Sequence, residues 1–326
     1  MKKTIFTLLL AALALYAKPV VTTTILPTKF FVQQIAGDTL EVDALVEAGA
    51  DPHTYEPKPS QMKNVEKSDL HFAVGLEFDE IWLPKLQKQF PNLVVINTQD
   101  GITKIPMAAH HHHDEEHADH DEHEHHEHAD HDHEADHEHH EHADHDGEHE
   151  HHEHHEHEGH HHHEGMLDPH VWLDPQLVKI QVQNITNALV KKYPENKALY
   201  EQNSAKFISK LDEFDKSTKD KLKDIKNRKF MVYHPSWGYF AKRYDLVQIP
   251  VEIEGKEPKP ADLKELIHEA KEEKISVIFV APQFSKKAAK TVAKESGAVV
   301  VEINQLPENW LAEMQKTVDV FAKYLK

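Results

Sequence analysis

Residues 110–165 form a continuous run of histidine and acidic residues that divides the chain into two parts. This window holds 27 His, 22 Asp or Glu and no Lys or Arg, out of 32 His and 57 acidic residues in all 326 positions. It has no apolar residue larger than Ala between positions 110 and 163, and no helical or strand period. Such a segment cannot bury enough apolar surface to offset the entropy lost on ordering. We therefore expect a disordered loop at about residues 109–165, inserted in an otherwise folded chain.

Outside the window the charge is nearly balanced, although the whole chain carries a formal net charge of −20. The remaining residues contain all 37 Lys or Arg and 35 Asp or Glu, which gives +2. There is no basic excess that would release phosphate counterions, so we expect no nucleic-acid binding. The absence of Cys from the sequence excludes disulfides, Cys-ligated zinc fingers, iron–sulfur clusters, a thiol nucleophile and a lipid-anchoring cysteine.

The N-terminus has the pattern of a secretory signal. Lys2 and Lys3 precede an apolar run over residues 5–15, and Ala17 offers a cleavage site. The run is shorter than the roughly 20 apolar residues that cross a bilayer, and no later segment is a membrane candidate. A buried N-terminal helix is the alternative. We expect residues 1–17 to be a signal peptide and the mature chain to be a monomer in a bacterial periplasm, with no direct membrane insertion.

Two stretches of alternating strand and helix patterns flank a helical middle. This alternation predicts an α/β fold of two lobes, each a mostly parallel sheet flanked by helices. We expect the lobes at residues 18–174 and 229–326, with a helical segment at 175–228 between them. β-Branched and apolar runs bounded by turn residues mark the expected strands. They lie at residues 20–26, 40–46, 70–76 and 93–97 in the first lobe and at 230–233, 246–253, 276–280 and 298–303 in the second.

The middle segment contains one long amphipathic pattern at about residues 195–226. Its apolar side chains recur at intervals of three and four, among them Leu199, Phe207, Leu211 and Phe214. At 1.5 Å per residue a helix of this length would reach about 48 Å, long enough to bridge two lobes. Two shorter helices, broken near residues 215–219, are the alternative, although no Pro or Gly interrupts the run.

Three histidines outside the window lie beside prolines and near aromatic residues: His53, His170 and His234. His53 and His234 follow expected strands, and open α/β sheets bind ligands outside the carboxyl ends of their strands. His170 lies one turn before an expected helix, for which Asp174 is a natural N-cap and Pro175 a natural first residue. Singly, such histidines are more often ordinary hydrogen-bonded residues. Together, three neutral imidazoles suit Zn²⁺, with water or a carboxylate completing the site.

Three longer segments carry a resemblance to a known family. They are residues 51–57 (Asp-Pro-His-Thr-Tyr-Glu-Pro), 168–175 (Asp-Pro-His-Val-Trp-Leu-Asp-Pro) and 233–240 (Tyr-His-Pro-Ser-Trp-Gly-Tyr-Phe). Over nearly its whole mature length the chain is similar to the zinc-uptake periplasmic binding proteins of ABC transporters, a group with manganese-binding relatives. The resemblance implies two α/β lobes joined by one long rigid helix, with metal held between them by three histidines. It also implies a membrane permease as partner and, in many zinc members, a charged His-rich loop.

One departure concerns the fourth ligand. Where the family commonly has an aspartate, this chain has residues 303–306 (Ile-Asn-Gln-Leu). Asn304 is a doubtful replacement, because a neutral amide oxygen binds Zn²⁺ less strongly than a carboxylate does. We expect water, a nearby carboxylate or a loop histidine to complete the site. The missing carboxylate also disfavours manganese, which prefers oxygen-rich sites.

The histidine-rich window offers closely spaced imidazole pairs that chelate a metal without any fold. We expect auxiliary weak metal sites there, including its two outer runs: His110, His111, His112, His113, His160, His161, His162 and His163. Copper and nickel should bind such a loop as well. One alternative is an expression tag, but the segment is internal and rich in acidic residues. A second alternative is a solvated charged linker, which would not explain the many histidines. His71 and His268 are given no role.

The sequence thus predicts a high-affinity binding protein that captures Zn²⁺ and delivers it to an ABC-type permease for import, without chemical turnover. A secreted zinc hydrolase is one alternative, since three histidines plus water also form catalytic zinc centres. The sequence lacks a His-Glu-x-x-His motif, a nucleophile elbow and an obvious general base. The other alternative function is a periplasmic metal buffer that works without a transporter.

Overall fold

The computed structural model describes residues 18–108 and 167–326, which all belong to one compact unit. The expected signal peptide at residues 1–17 and the expected loop at residues 109–165 lie outside the described residues.

Two four-stranded parallel sheets form the framework of the described chain. The first contains β1 (Val20–Thr23), β2 (Glu41–Ala44), β3 (Ser68–Ala73) and β4 (Val94–Asn97), and the second contains β5 (Lys229–Val232), β6 (Val247–Pro250), β7 (Val277–Val280) and β8 (Val299–Glu302). The strand orders, β2-β1-β3-β4 and β6-β5-β7-β8, are equivalent. In the second sheet Val232 lies opposite Pro250 on one side and Phe279 on the other. The predicted α/β class with parallel sheets is confirmed.

Helices connect and cover these strands. Within the described residues they are α1 (Leu26–Ala36), α2 (Pro59–Lys67), α3 (Glu77–Gln89), α4 (Pro175–Lys192), α5 (Lys197–Leu222), α6 (Gly238–Arg243), α7 (Pro260–Glu272), α8 (Lys287–Ser296) and α9 (Trp310–Tyr324). In this part of the chain none of them combines the length and apolar character that a membrane span requires.

Some predicted boundaries were wrong for local reasons. The first strand ends at Thr23 rather than at position 26, because α1 accommodates Pro27 in its first turn, where a missing N–H costs nothing. Helix α2 begins at Pro59, directly after its N-cap Lys58. There the Gln61 side chain accepts the Lys58 backbone N–H at 2.7 Å.

The long connecting helix α5 is continuous over 26 residues, about 39 Å. The prediction of a single helix is confirmed, and the alternative break near residues 215–219 is wrong. The helix is shorter than expected because Pro194–Asn196 form a separate 3-10 turn before it. It buries Tyr200, Phe207, Leu211 and Phe214 and packs on α4, α1 and α9.

One apolar cluster extends through the described residues from the first sheet to the second. It includes Phe72 of β3, Phe207 of α5 and Phe279 of β7. The rings of Phe31 on α1 and Trp310 on α9 lie 5.5 Å apart, edge to face. A smaller cluster fills the space between the second sheet and helices α7 and α8. The predicted division into lobes at residues 174 and 229 stays a prediction, since both sheets share a core.

Candidate metal centre

The three histidines singled out from the sequence come together in the structure. One ring nitrogen from each of His53, His170 and His234 lies within 4.8 Å of the other two. Nε2 of His170 and Nε2 of His234 are 3.3 Å apart. A tetrahedral ion with Zn–N bonds of about 2.0–2.1 Å holds its nitrogens roughly 3.3–3.4 Å apart. The pair therefore already has the spacing of two ligands on one zinc ion.

The same local turn presents two of these rings. Asp51 and Asp168 each begin an Asp-Pro-His motif, and the carboxylate accepts the backbone N–H of the histidine two residues on. The N–O distances are 3.0 Å at His53 and 2.9 Å at His170. Aspartate side chains commonly make this bond, and the intervening proline fixes its own φ. The motif thus orients the histidine through purely local contacts.

The His234 turn is held by a long-range contact instead. Gln248 of β6 donates through Nε2 to the carbonyl oxygen of Pro235 at 3.1 Å and accepts the Trp237 backbone N–H at 2.9 Å. Within the turn, the backbone N–H of Ser236 donates to the His234 carbonyl at 2.8 Å. Neighbouring strands β5 and β6 therefore fix this ring together.

A carboxylate stands beside Nδ1 of every converging ring. The distances from Nδ1 are 2.7 Å to Asp168 Oδ1 for His170, 2.9 Å to Glu252 Oε1 for His234, and 3.6 Å to Glu77 Oε2 for His53. The Asp168 and Glu252 side chains are buried, whereas that of Glu77 is 59% exposed. At His170 and His234 the carboxylate is within hydrogen-bond distance, so it holds the proton on Nδ1 and leaves the lone pair on Nε2, the arrangement that commonly supports zinc-bound histidine.

The electrostatics favour neutral rings beside negative charge. Burial lowers the pKa of His53, and the neighbouring His234 lowers it further. Burial also lowers the pKa of His170, against the opposing effect of Asp168. Only neutral imidazole binds metal, so both rings are in the competent form at pH 7. Nε2 of His53 is buried and lacks a hydrogen-bond partner within the described residues, as a nitrogen reserved for an ion would.

A cavity of about 300 Å³ opens beside the rings of His53 and His234. Acidic side chains on its wall include Glu77, Glu252 and Glu254, and Phe284 supplies an aromatic face. A water molecule occupies about 30 Å³ in the liquid, so an ion on the three nitrogens would have room for water at its remaining position.

The remaining predicted positions lie elsewhere. Asn304 does not line the cavity, and its Oδ1 accepts the Leu306 backbone N–H at 2.9 Å and the Gln283 amide at 3.4 Å. The Asn304 side chain therefore stabilises its own turn through hydrogen bonds. The eight loop histidines at positions 110–113 and 160–163 lie outside the described residues.

Sequence reasoning missed Glu77 and Glu252. Each is the first acidic residue after the carboxyl end of a strand, Glu77 after β3 and Glu252 after β6. The rule applied to the histidines could have found them. Asp168 belongs to a motif that was recognised, but its bond to Nδ1 of His170 is not visible from the sequence.

The sequence matches one family profile over residues 21–324, that of ZnuA, described as the periplasmic component A of the zinc-uptake complex. The chain belongs to the ZnuA family. A curated relative, the high-affinity zinc uptake system protein ZnuA of Bacillus subtilis, is 34% identical over 290 residues, which cover 88% of this chain and 78% of that protein. The zinc-binding lipoprotein AdcA of Streptococcus pneumoniae is 30% identical over 312 residues, 91% of this chain. The match spans only 54% of AdcA, about half its length.

Solved structures of the ZnuA family have the same fold. A crystal structure of ZnuA, 31% identical, superposes with a TM-score of 0.76 and covers 95% of this chain and 100% of that chain. The Zn(II)-bound ZnuA-like domain of Streptococcus pneumoniae AdcA, 25% identical, gives a TM-score of 0.67 over 95% of this chain and 99% of that chain. Membership in a family of uptake components confirms the prediction of a solute-binding protein that is not an enzyme.

Proposed function

We propose that this ZnuA-family chain captures Zn²⁺ in the periplasm and passes it to an ABC-type permease for import. The observation that carries the proposal is the convergence of three imidazole nitrogens, each with a carboxylate beside its other nitrogen. Relatives named for zinc uptake and zinc binding support the same cargo.

In this proposal His53, His170 and His234 bind the ion through Nε2, and water from the adjoining cavity completes the coordination. The donor set favours zinc over manganese, because three nitrogens at tetrahedral spacing suit Zn²⁺ and manganese prefers octahedral oxygen. Tetrahedral spacing also disfavours Cu²⁺ and Ni²⁺, which favour square-planar or tetragonal sites. The Asn304 amide takes no part, because its oxygen is used within its own turn.

The family and the sequence both support the proposed location and partner. The family description is periplasmic, and residues 1–17 have the charged and apolar pattern of a signal that directs export. We propose that the mature chain acts as a monomer and docks on a membrane permease. The histidine-rich window at residues 110–165 would hold further zinc more weakly and buffer it near the central site.

A zinc-loaded crystal with anomalous scattering at the zinc edge tests the site. We expect one strong peak about 2.0–2.1 Å from the three Nε2 atoms. Calorimetry on a chain in which a short linker replaces residues 109–165 should find a single tight zinc ion, and the full chain should bind more. A shortened, folded chain without tight zinc binding would refute the proposal. Zinc transport by a reconstituted permease that depends on this chain separates import from simple buffering.

A further inference from the structure

One tyrosine ties together three segments around the candidate metal centre. Tyr239, on α6, is 4% exposed. Its hydroxyl donates to the backbone carbonyl of Asp168 at 2.8 Å and accepts the backbone N–H of Ile105 at 3.2 Å. Ile105 in turn accepts the Asp168 backbone N–H at 2.8 Å, and Pro106 and Leu167 form an antiparallel bridge. The hydroxyl therefore lies at the junction of α6 with two other stretches of chain.

These two stretches flank the histidine-rich window. In the sequence, the Ile105 segment precedes residues 109–166, which lie outside the described residues, and Asp168 follows them. Asp168 lies two residues before His170 and holds that histidine twice, at its backbone N–H and at Nδ1. The Tyr239 hydroxyl thus acts on the residue that sets the position and the tautomer of one proposed ligand.

The start of α6 is also fitted to the Asp168 carboxylate. A Cβ added at Gly238 would lie 2.5 Å from Asp168 Oδ2, an atom that is buried and has no hydrogen-bond partner among the described residues. The φ angle of Gly238 is not in the left-handed region, so its backbone alone does not demand glycine. Glycine here leaves room for the carboxylate that holds His170.

We propose that Tyr239 is a positioning residue for metal binding: by bridging Ile105 and Asp168, it fixes Asp168 and so holds Nε2 of His170 at bonding distance from the ion. The inference rests on the zinc-binding function proposed above. Tyr239 itself does not touch the ion. Without its hydroxyl, the half-buried N–H of Ile105 and the buried carbonyl of Asp168 lose a partner, which costs free energy and lets the Asp168 segment shift.

Tyr239→Phe in the full chain tests the proposal, because it keeps the ring in the apolar cluster and removes both hydrogen bonds. Groups that orient ligands typically contribute 10–100-fold to metal affinity, so we expect the tightest zinc site to weaken by about 10-fold. The probe is zinc alone, in competition with a chelating dye at pH 7.5. Gly238→Ala should weaken the same site although alanine favours the helix, because its Cβ displaces Asp168.

Tyr244→Phe is the matched control. This residue follows α6, and its hydroxyl donates to Asp215 at 3.1 Å rather than to the Asp168 segment. Tyr244→Phe should lower the urea midpoint measured in EDTA but leave the zinc affinity unchanged. The control therefore distinguishes a loss of fold stability from a loss of ligand positioning. Equal weakening by Tyr244→Phe, or wild-type affinity in Tyr239→Phe, would overturn the proposal.

A double-mutant cycle with Asp168→Asn tests the route of the effect. If Tyr239 acts through Asp168, then Tyr239→Phe should change the zinc affinity little once Asp168 is replaced. Fully additive losses would overturn the proposal. Failure of the wild-type chain to bind any zinc tightly would instead overturn the proposed function, so the two failures are distinguishable.

Discussion

Each of the three converging histidines has a carboxylate near Nδ1, whereas His71 has a hydroxyl on both ring nitrogens. Thr22 Oγ1 lies 3.0 Å from its Nδ1 and Thr24 Oγ1 lies 3.1 Å from its Nε2. A ring bonded on both sides has no lone pair left for an ion, so His71 is a structural residue. The chemical role of each histidine is therefore set by its immediate partners rather than by its burial.

At the residue scale, His234→Ala should abolish tight zinc binding. The change removes one of three direct bonds, so we expect affinity to fall by more than the roughly 10–100-fold that loss of an outer-shell group costs. Competition with a chelating dye measures the effect. His268→Ala is the control, because its side chain is 82% exposed on α7 and should leave affinity unchanged. Comparable losses in both variants would mean that affinity resides outside the three-histidine centre.

His71 should make stability fall in acid. Burial lowers its pKa to about 3, while the unfolded chain takes up the proton near pH 6.5. Stability is therefore lost as the pH falls below 6.5, and this one group accounts for about 2 kcal/mol between pH 7 and pH 5. Urea unfolding in EDTA at both pH values should show His71→Gln losing about 2 kcal/mol less than wild type over this interval. The control His268→Gln should lose as much stability between pH 7 and pH 5 as wild type does. If His71→Gln also lost as much as wild type, His71 would not be the source of this loss.

At the element scale, α4, α5 and α6 meet around one cluster of charged side chains. Arg243 of α6 binds Asp215 of α5 through Nε at 2.6 Å and Nη2 at 2.8 Å, and its Nε lies 3.5 Å from Asp174, the N-cap of α4. Burial alone would raise the pKa of Asp215, but hydrogen bonds from Arg243 and Lys219 outweigh burial and lower it to about 2. The cluster fixes the helix that follows His170 against the helix that follows His234.

The cap of α4 can be tested by two substitutions of Asp174. Its side chain accepts the Gln176 backbone N–H at 2.7 Å, so Asp174→Ala should cost about 1 kcal/mol of unfolding free energy. Asp174→Asn should cost less, because asparagine is an equally good N-cap. Urea unfolding in EDTA at pH 7 compares them. Equal losses would show that the charge beside Arg243, rather than the cap, carries the stabilisation.

Local contacts explain what could be predicted from the sequence. Asp174 and Pro175 marked the start of α4 correctly, since a cap depends on neighbours within four residues. The Asp-Pro-His turns are local in the same way. The positions of Glu77 and Glu252 after strand ends could have marked them as candidates, but which histidine each one contacts is set by the fold, because each lies at the end of another strand. Asn304 likewise finds Gln283 through the fold.

At the scale of the whole molecule, the two sheets are joined by more than α5. Trp172 donates its indole N–H to the Gln305 carbonyl at 2.7 Å, and Trp310 donates to the Trp172 carbonyl at 2.7 Å. All three residues are buried. Repeated strand and helix patterns predicted two sheets, but a shared core arises from contacts between distant parts of the chain, which periodicity does not encode. The structure therefore keeps the two predicted sheets and the long helix between them, and adds a core that both sheets share.

A shared core implies one cooperative unfolding transition. In EDTA, far-UV circular dichroism and tryptophan fluorescence should give the same urea midpoint, because buried Trp172 and Trp310 belong to the cluster that contains residues of both sheets. Zinc should raise that midpoint without changing the slope, by about 2.7 kcal/mol at a free concentration 100 times the dissociation constant. His53→Ala keeps the histidine-rich window but should lose most of the zinc-induced stabilisation. This variant therefore controls for any stabilisation by zinc bound to the window alone. Two separate transitions in EDTA would show that each sheet unfolds on its own and would contradict a single cooperative unit.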